Sequence, residues 1–366
     1  MEKISIIVGI IIVVAGVIFA IRKFRKSKKE EGFASLLFTT GITLILTSTP
    51  ATVDKFLVFI GIITKYENAQ ILAGTFNYYY FFTGILLVGM SIWLNIYSKK
   101  KIYVLNINGY MVKKLENYFK DLKMSNFEFK EREVDFVNIY KKMFAPTLNE
   151  DVFECIKEEI EEKVTAFKNE SNGLKRGYTG IAPIPFIMYA GTFLEREVID
   201  EYYEFDKVNT NTYYKLSKNK NVNTPKINVK TDIDSLNKSS KELVISISLT
   251  QQISEGDLSQ FSNIEKVSIG IDNPQDNIIQ NKEQLYEYRN FIVENIESIS
   301  KEFSDLKTIH LIYSGQSCLP LEIGRRSIDS TRLPEIISYQ YERQSNIKYP
   351  WGIVINGQSK GKLIKI

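Results

Sequence analysis

Histidine and cysteine are nearly missing from this 366-residue chain: His310 is its single histidine, and Cys155 and Cys318 are its two cysteines. Two cysteines imply neither a disulfide framework nor a zinc site, and inert or buried thiols suit a reducing compartment. A dominant sign of charge is also lacking. Lys and Arg number 47 against 43 Asp and Glu, a formal net charge of +4, which is not the composition of a protein that binds long nucleic acid. No glycine-rich stretch ends in GKS or GKT, so a P-loop is excluded. The string GQSC around Ser317 carries Leu319 where a nucleophile elbow needs its second glycine, and His310 precedes the serine, against the Ser, acid, His order of that fold. His310 therefore reads as a packed strand histidine. The carboxylates of KEEIEEK, Lys157 to Lys163, have the helical spacing of a charged outer face. No catalytic residue and no metal-binding set is assigned, and the chain reads as a receptor rather than an enzyme.

What is present is a change of solvent near Lys99. Residues 4–21, ISIIVGIIIVVAGVIFAI, carry no charge and are long enough to cross a hydrocarbon core of roughly 30 Å. A cleaved signal peptide fits poorly, because the apolar stretch is too long and a dense basic run follows it. Phe33 to Thr49 and Ile71 to Tyr97 are further candidates. Arg22, Lys23, Arg25, Lys26, Lys28 and Lys29 after the first stretch, and Lys99, Lys100 and Lys101 after the last, belong in the cytoplasm by the positive-inside rule. Three spans, about 4–21, 33–49 and 71–97, are expected, with residues 52–66 at the outer interface; two spans with a peripheral first helix are the alternative. Residues 1–100 thus read as an α-helical anchor, multi-pass in a membrane, with the C-terminal domain cytoplasmic. Gly9 and Gly16 share a helix face, and Asn77, inside an apolar stretch, needs a partner.

Residues 101–366 are enough for one large domain or two smaller ones. Their hydrophobic periodicity is α/β. Strands are expected at Ile102–Ile107, Ile184–Tyr189, Leu243–Leu249, Lys266–Ile271, Thr308–Tyr313, Ile336–Tyr341 and Trp351–Ile355, and amphipathic helices at Glu150–Phe167 and Lys282–Phe303. The two halves, about 101–220 and 240–366, look alike. A helix leads to GIAPIPFIMYAG, EYYEFD and NTYYKL in one, and to TIHLIYSG, ISYQYER and YPWGIVING in the other, with Tyr203 to Tyr213 and Tyr341 to Trp351 equally spaced. This pattern predicts a degenerate duplication of one Rossmann-like unit.

GIAPIPF followed by EYYEFD, and later IHLIYSGQSCLPLEIGR with ISYQYER and YPWGIVI, resemble the SAVED domain family. The resemblance covers roughly Ile102 to the end. It implies tandem CARF-like Rossmann units that bind a cyclic oligonucleotide, here a cyclic tri- or tetranucleotide, with no other cofactor. It also implies a functional link to a cGAS-like nucleotidyltransferase of a bacterial CBASS antiphage system. Joined to membrane helices, the chain looks like a transmembrane SAVED effector of the bacterial inner membrane, a homo-oligomer on activation whose other partner is membrane lipid. A membrane-bound ring nuclease and a passive tether signalling to another protein are the alternatives.

Ligands of Rossmann-like sheets sit beyond the carboxyl ends of the strands. Thr250 and Gln251 after one expected strand, and Gly315, Gln316 and Ser317 after another, are therefore candidate ligand contacts. Gly315 allows close backbone approach, Gln316 has an amide suited to a base edge, and Ser317 suits a helix cap or a phosphate. Tyr189, Gly191 and Thr192 are the corresponding candidates in the first half, Tyr189 for base stacking. Arg325 is a candidate for neutralising phosphate.

Overall fold

The structure is a computed structural model, and it describes residues 18, 21, 29–48, 77–122, 124, 129–142, 149–195, 197–218, 224–327 and 333–366. The chain divides into two compact units, Met1–Lys101 with Asn172–Leu174, and Ile102–Ser171 with Lys175–Ile366.

In the first unit α1 (Lys29–Thr47) and α2 (Tyr78–Lys100) form an antiparallel hairpin. The Ser91 hydroxyl donates to the Ala34 carbonyl at 2.6 Å, and the Asn77 N–H donates to the Ser48 carbonyl at 2.9 Å. Midway between them, a Cβ on Gly84 would lie 2.7 Å from the Gly41 carbonyl oxygen and 2.6 Å from Ile45 Cγ1. Each helix thus offers a small or short polar residue at every seventh position, Ala34, Gly41 and Ser48 against Ser91, Gly84 and Asn77, which brings the backbones close. Large side chains point away from this seam: Tyr79 is 85% exposed, Phe82 63% and Trp93 62%. That is the reverse of a helix packed on a soluble core. The hydroxyls of Thr39, Thr43 and Thr47 each donate at 2.9 Å to the carbonyl four residues back, so α1 satisfies them itself.

Tyr78–Tyr97 is long and apolar enough to cross a membrane, and the apolar part of α1, Gly32–Thr47, is shorter. The helix expected from Ile71 starts at Tyr78, because Asn77 caps it, its side-chain oxygen accepting from the Tyr80 N–H at 3.2 Å. That bond is the partner Asn77 requires. The expected first span with Gly9 and Gly16 lies outside the described residues apart from Ile18 and Ile21, as do residues 52–66 and 71–76.

In the second unit β1 (Ile102–Asn108), β2 (Phe129–Asp135), β3 (Lys175–Ile181), β4 (Glu201–Asp206) and β5 (Thr212–Lys215) form a sheet in the order β2-β1-β3-β4-β5. A second sheet contains β6 (Asn228–Val229), β7 (Glu242–Ser248), β8 (Glu265–Gly270), β9 (Thr308–Ser314), β10 (Glu335–Gln340), β11 (Trp351–Val354) and β12 (Leu363–Lys365) in the order β12-β11-β10-β9-β7-β8-β6. With β6 and β12 set aside the two orders coincide strand for strand. In each half, three parallel pairings are followed by one antiparallel pair, β4 with β5 and β10 with β11.

The helices repeat as well. α3 (Glu150–Glu170) buries Phe153, Ile156, Ile160, Val164 and Phe167, and carries an N-cap at Asn149. α5 (Lys282–Glu302) buries Leu285, Tyr288, Ile292, Ile296 and Ile299 behind an N-cap at Asn281. Both show the three-to-four spacing of a helix that buries one face. The stretch expected as a strand at Ile184–Tyr189 is instead α4 (Ile184–Gly191), and the strand is β3 just before it. Proline suits the first turn of a helix, where the missing N–H has no intrahelical partner, and Pro183 and Pro185 mark that turn here.

α6 (Cys318–Ser327) occupies the corresponding place in the second half, with Pro320 in its first turn. It packs directly on α4. A side-chain carbon at Gly191 would run into the Leu321 carbonyl oxygen, and one at Gly324 into the Met188 carbonyl oxygen, a reciprocal contact that joins the halves.

Candidate functional site

At the carboxyl ends of β3 and β9 the chain turns into α4 and α6, and a cleft of about 270 Å³ opens there between the halves. The first half contributes Tyr110 beyond β1, Gly180 to Ala182 and Ile184 before and at the start of α4, and Glu204, Phe205, Lys207 and Val208 from the end of β4. The second half contributes Thr250, Asp276, Asn277, Gly315, Gln316 and Ser317.

Each half caps a helix of the other. Glu204 on β4 accepts from the Cys318 N–H at 2.7 Å and from the Ser317 hydroxyl at 3.1 Å, at the start of α6. Gln340 on β10 accepts from the Ile184 N–H at 3.2 Å, at the start of α4, while its amide nitrogen donates to the Tyr110 hydroxyl at 2.8 Å. Helix N-termini leave N–H groups without intrahelical partners, and here side chains from across the cleft supply them. Burial pushes the Glu204 carboxyl above the ordinary range, against the opposing pull of the Cys318 and Ser317 donors. Asp206, two residues on, is held down at about 2, chiefly by the Asn209 N–H, with the Asn277 amide and the Val208 N–H helping.

Thr250, Gly315, Gln316 and Ser317, four of the residues singled out by sequence, line the cleft. The Gln316 amide is engaged within the fold. Its amide oxygen accepts from the Ile279 N–H at 2.6 Å, and its nitrogen donates to the Ile279 carbonyl at 2.9 Å and to the Tyr214 hydroxyl at 2.7 Å, so the whole amide holds the segment after Asn277 in place. Gln251 adjoins the cleft, and its N–H donates to the Ser314 hydroxyl at 3.1 Å.

Tyr189, Gly191, Thr192 and Arg325 are not brought to the cleft. The first three lie at the far end of α4 because 184–191 is a helix leading away from the cleft rather than a strand ending at it. The Tyr189 hydroxyl donates to Glu161, the Thr192 hydroxyl donates to the Tyr189 carbonyl at 2.6 Å, and Gly191 is pressed on α6. Arg325 bonds Glu322 through two nitrogens, at 2.9 and 2.7 Å, and Arg289 reaches the same carboxylate at 2.6 Å. Glu322 is fully buried and also accepts from the Tyr202 hydroxyl. The two arginines and the tyrosine hold its carboxyl below the ordinary value despite burial.

Tyr110, Glu204, Lys207, Asp276 and Asn277 were not singled out by sequence. Glu204 alone left a trace, a carboxylate in a strand between aromatic residues. Asn277 adopts a left-handed backbone, φ 55°, which asparagine tolerates. His310 lies at the other end of β9, its ring nitrogens 3.0 Å from the Tyr339 hydroxyl and 3.3 Å from Glu242. Burial pulls its pKa below the ordinary value. Among the described residues no group of three or more His, Cys, Asp or Glu side chains is placed to hold a metal ion. The cleft offers hydrogen-bonding groups, among them Thr250, Asn277 and Ser317, to a bound molecule.

A family model described as SAVED, the SMODS-associated and fused to various effectors sensor domain, matches residues 156–355. No curated protein matches the chain. Similar solved structures include an Acinetobacter baumannii Cap4 receptor containing a SAVED/CARF domain with the cyclic trinucleotide 3'3'3'-cAAA, at 12% identity and TM-score 0.44, covering 81% of this chain and 65% of that one. The same receptor with 2'3'3'-cAAA matches at 12% identity and TM-score 0.44 over 81% and 64%. A Moraxella osloensis Cap4 receptor matches at 13% identity and TM-score 0.42 over 80% and 63%. The chain thus spans less than two thirds of the length of these receptors.

Proposed function

The chain belongs to the SAVED family, and from that premise we propose that it is a membrane-anchored receptor that binds a cyclic oligonucleotide and, once bound, assembles and damages the bacterial inner membrane in CBASS antiphage defence. The observation that carries the sensing is the cleft between two duplicated halves, at the carboxyl ends of the parallel strands β3 and β9, where α/β folds hold their ligands. A cyclic tri- or tetranucleotide is the ligand, supplied by a cGAS-like nucleotidyltransferase, and the domain works as a sensor without turning it over.

The anchor is residues 1–100, and the sensor follows from residue 101. The α1 and α2 hairpin supports this division, since its small residues face inward and its large apolar ones outward, the arrangement lipid favours. Reciprocal helix caps and the contact of α4 with α6 tie the two halves into one compact unit. A hinge between the halves is therefore a poor transmitter, and a new contact between copies is a better one. Head-to-tail contacts of that kind propagate, and clustering would bring the membrane helices together. Shifting the assembly equilibrium from 1:99 to 99:1 requires the ligand to prefer the assembled state by about 5.5 kcal/mol.

The test is dye leakage from liposomes carrying the full-length protein, titrated with a panel of cyclic di-, tri- and tetranucleotides. Leakage with one ligand supports both sensing and membrane damage. Binding without leakage points to a passive tether, ligand turnover to a ring nuclease, and absence of any binding sinks the proposal.

A further inference from the structure

We propose that Glu204 is a specificity-determining residue of the cleft: it fills the anion position at the start of α6, so that an entering ligand turns a nucleobase edge, and not a phosphodiester, toward that end. This rests on the cyclic-oligonucleotide reading above and gives it an orientation. The exposed N–H groups and dipole of a helix start attract an anion, most often a phosphate. Here the chain's own carboxylate is already seated, 6% exposed, 2.7 Å from the Cys318 nitrogen and 3.1 Å from the Ser317 hydroxyl. A phosphodiester pushed to the same end finds the Ser317 hydroxyl and the Cys318 N–H already taken by that carboxyl group.

A separate observation points the same way. Asp276 adds a second acid to the lining, and Lys207 is the one cationic side chain among the described lining residues. The cavity, about 270 Å³, lies below the roughly 300–1,000 Å³ that hold a drug-sized ligand. It therefore admits part of an oligonucleotide ring and leaves the rest at the mouth. The amino groups on the edges of adenine, guanine and cytosine are donors, which the buried Glu204 carboxyl group and the exposed Asp276 at the edge of the cleft can accept. Gly180, near the end of β3, and Gly315, in the turn after β9, edge the cleft where the Tyr178 and Tyr313 hydroxyls leave no room for a side chain.

The experiment follows the melting temperature of the full-length protein in detergent micelles against inorganic phosphate, for the wild type, Glu204→Gln and Asp276→Asn. Wild type is expected to be indifferent to phosphate. Glu204→Gln keeps an acceptor for Cys318 and removes the charge, and it is expected to bind phosphate about tenfold more tightly than wild type or better. Asp276→Asn lies at an exposed position, so it keeps the comparison available should Glu204→Gln not fold, and it is expected to gain phosphate affinity in the same direction by a smaller factor. Equal stabilisation of wild type and variants by phosphate overturns the inference, as does a folded Glu204→Gln that gains nothing. Phosphate reads the α6 end whether or not any cyclic oligonucleotide binds, so failure here is distinguishable from failure of the proposed function. With a ligand from the leakage panel, methylating the base amines is expected to weaken binding about tenfold, and replacing one phosphodiester by an uncharged methylphosphonate to change it less. The opposite order overturns the inference.

Discussion

Gly324 lies so close to the carbonyl oxygen of Met188 that a side-chain carbon has no room between them, and Gly191 stands in the same relation to Leu321. Two helices from different halves of a duplicated fold therefore touch through backbone. Gly324→Ala should force them apart and cost about 1–3 kcal/mol, the usual range for overpacking. A urea midpoint unchanged from wild type would show that the crossing adjusts without cost.

Glu322 ties α6 to α5 through Arg289 and to β4 through Tyr202, with Arg325 beside it. Glu322→Ala leaves two guanidinium groups without their buried partner, and losses of about 3–5 kcal/mol are typical when one side of such a pair is removed. Chemical denaturation of the full-length protein in micelles measures it. A loss under about 1 kcal/mol, as for a surface pair, would mean that water replaces the carboxylate.

Glu131 on β2 accepts from the Asn106 amide at 2.6 Å and from the Leu115 N–H at 3.3 Å. Burial raises its pKa from 4.5 to about 7, against those donors. The folded state thus holds this proton more tightly than the unfolded chain does. Its contribution to stability is full below about pH 4.5 and is lost as the pH rises through about 7. Thermal melts across this window should fall with rising pH in wild type and fall less steeply in Glu131→Gln. Parallel curves would remove Glu131 as the cause.

Gln316 anchors the loop with two hydrogen bonds to Ile279 and makes a third to the Tyr214 hydroxyl. Gln316→Ala strands buried backbone groups, at about 1–3 kcal/mol each when unsatisfied. It should lower the melting temperature before any ligand is added and weaken cyclic-oligonucleotide binding through the displaced loop. Weaker binding with unchanged stability would instead favour direct contact between the Gln316 amide and the ligand.

Gly84→Ile places a branched side chain where Gly41 and Ile45 already stand. The hairpin should separate, at about 1–3 kcal/mol. Loss of helical signal at lower temperature in micelles would register it, and an unaltered melt would show that α1 and α2 pack elsewhere.

Much of this fold was legible because its signals are local. The apolar faces of α3 and α5 recur at helical spacing, and β7 and β9 are nearly continuous apolar runs, so their expected bounds differ from the observed ones by a few residues at most. β3 was missed because KRGYTGI begins with two charges and contains two glycines. The misreading of 184–189 has a related cause: all but the first residue of α4 are buried, so no polar face displays the helical period. In the site, Gly315 to Ser317 could be found from the rule that ligands gather beyond strand ends. Glu204 lies 114 residues from the Cys318 nitrogen it caps, and a partnership at that separation leaves no spacing to read. Gln316 shows the converse: residue type suggested a ligand contact, and only its neighbours reveal that the amide is occupied.

The two reciprocal caps differ in one respect, for Glu204 is an acid and Gln340 an amide. A cleft formed by two identical halves would present the same chemistry at both ends, and a ring turned end for end would bind equally well. In this chain the halves differ here, an acid capping one helix and an amide the other. The cleft has a head and a tail, and on the proposed reading a ring of unlike nucleotides or unlike linkages is expected to favour one sense of entry.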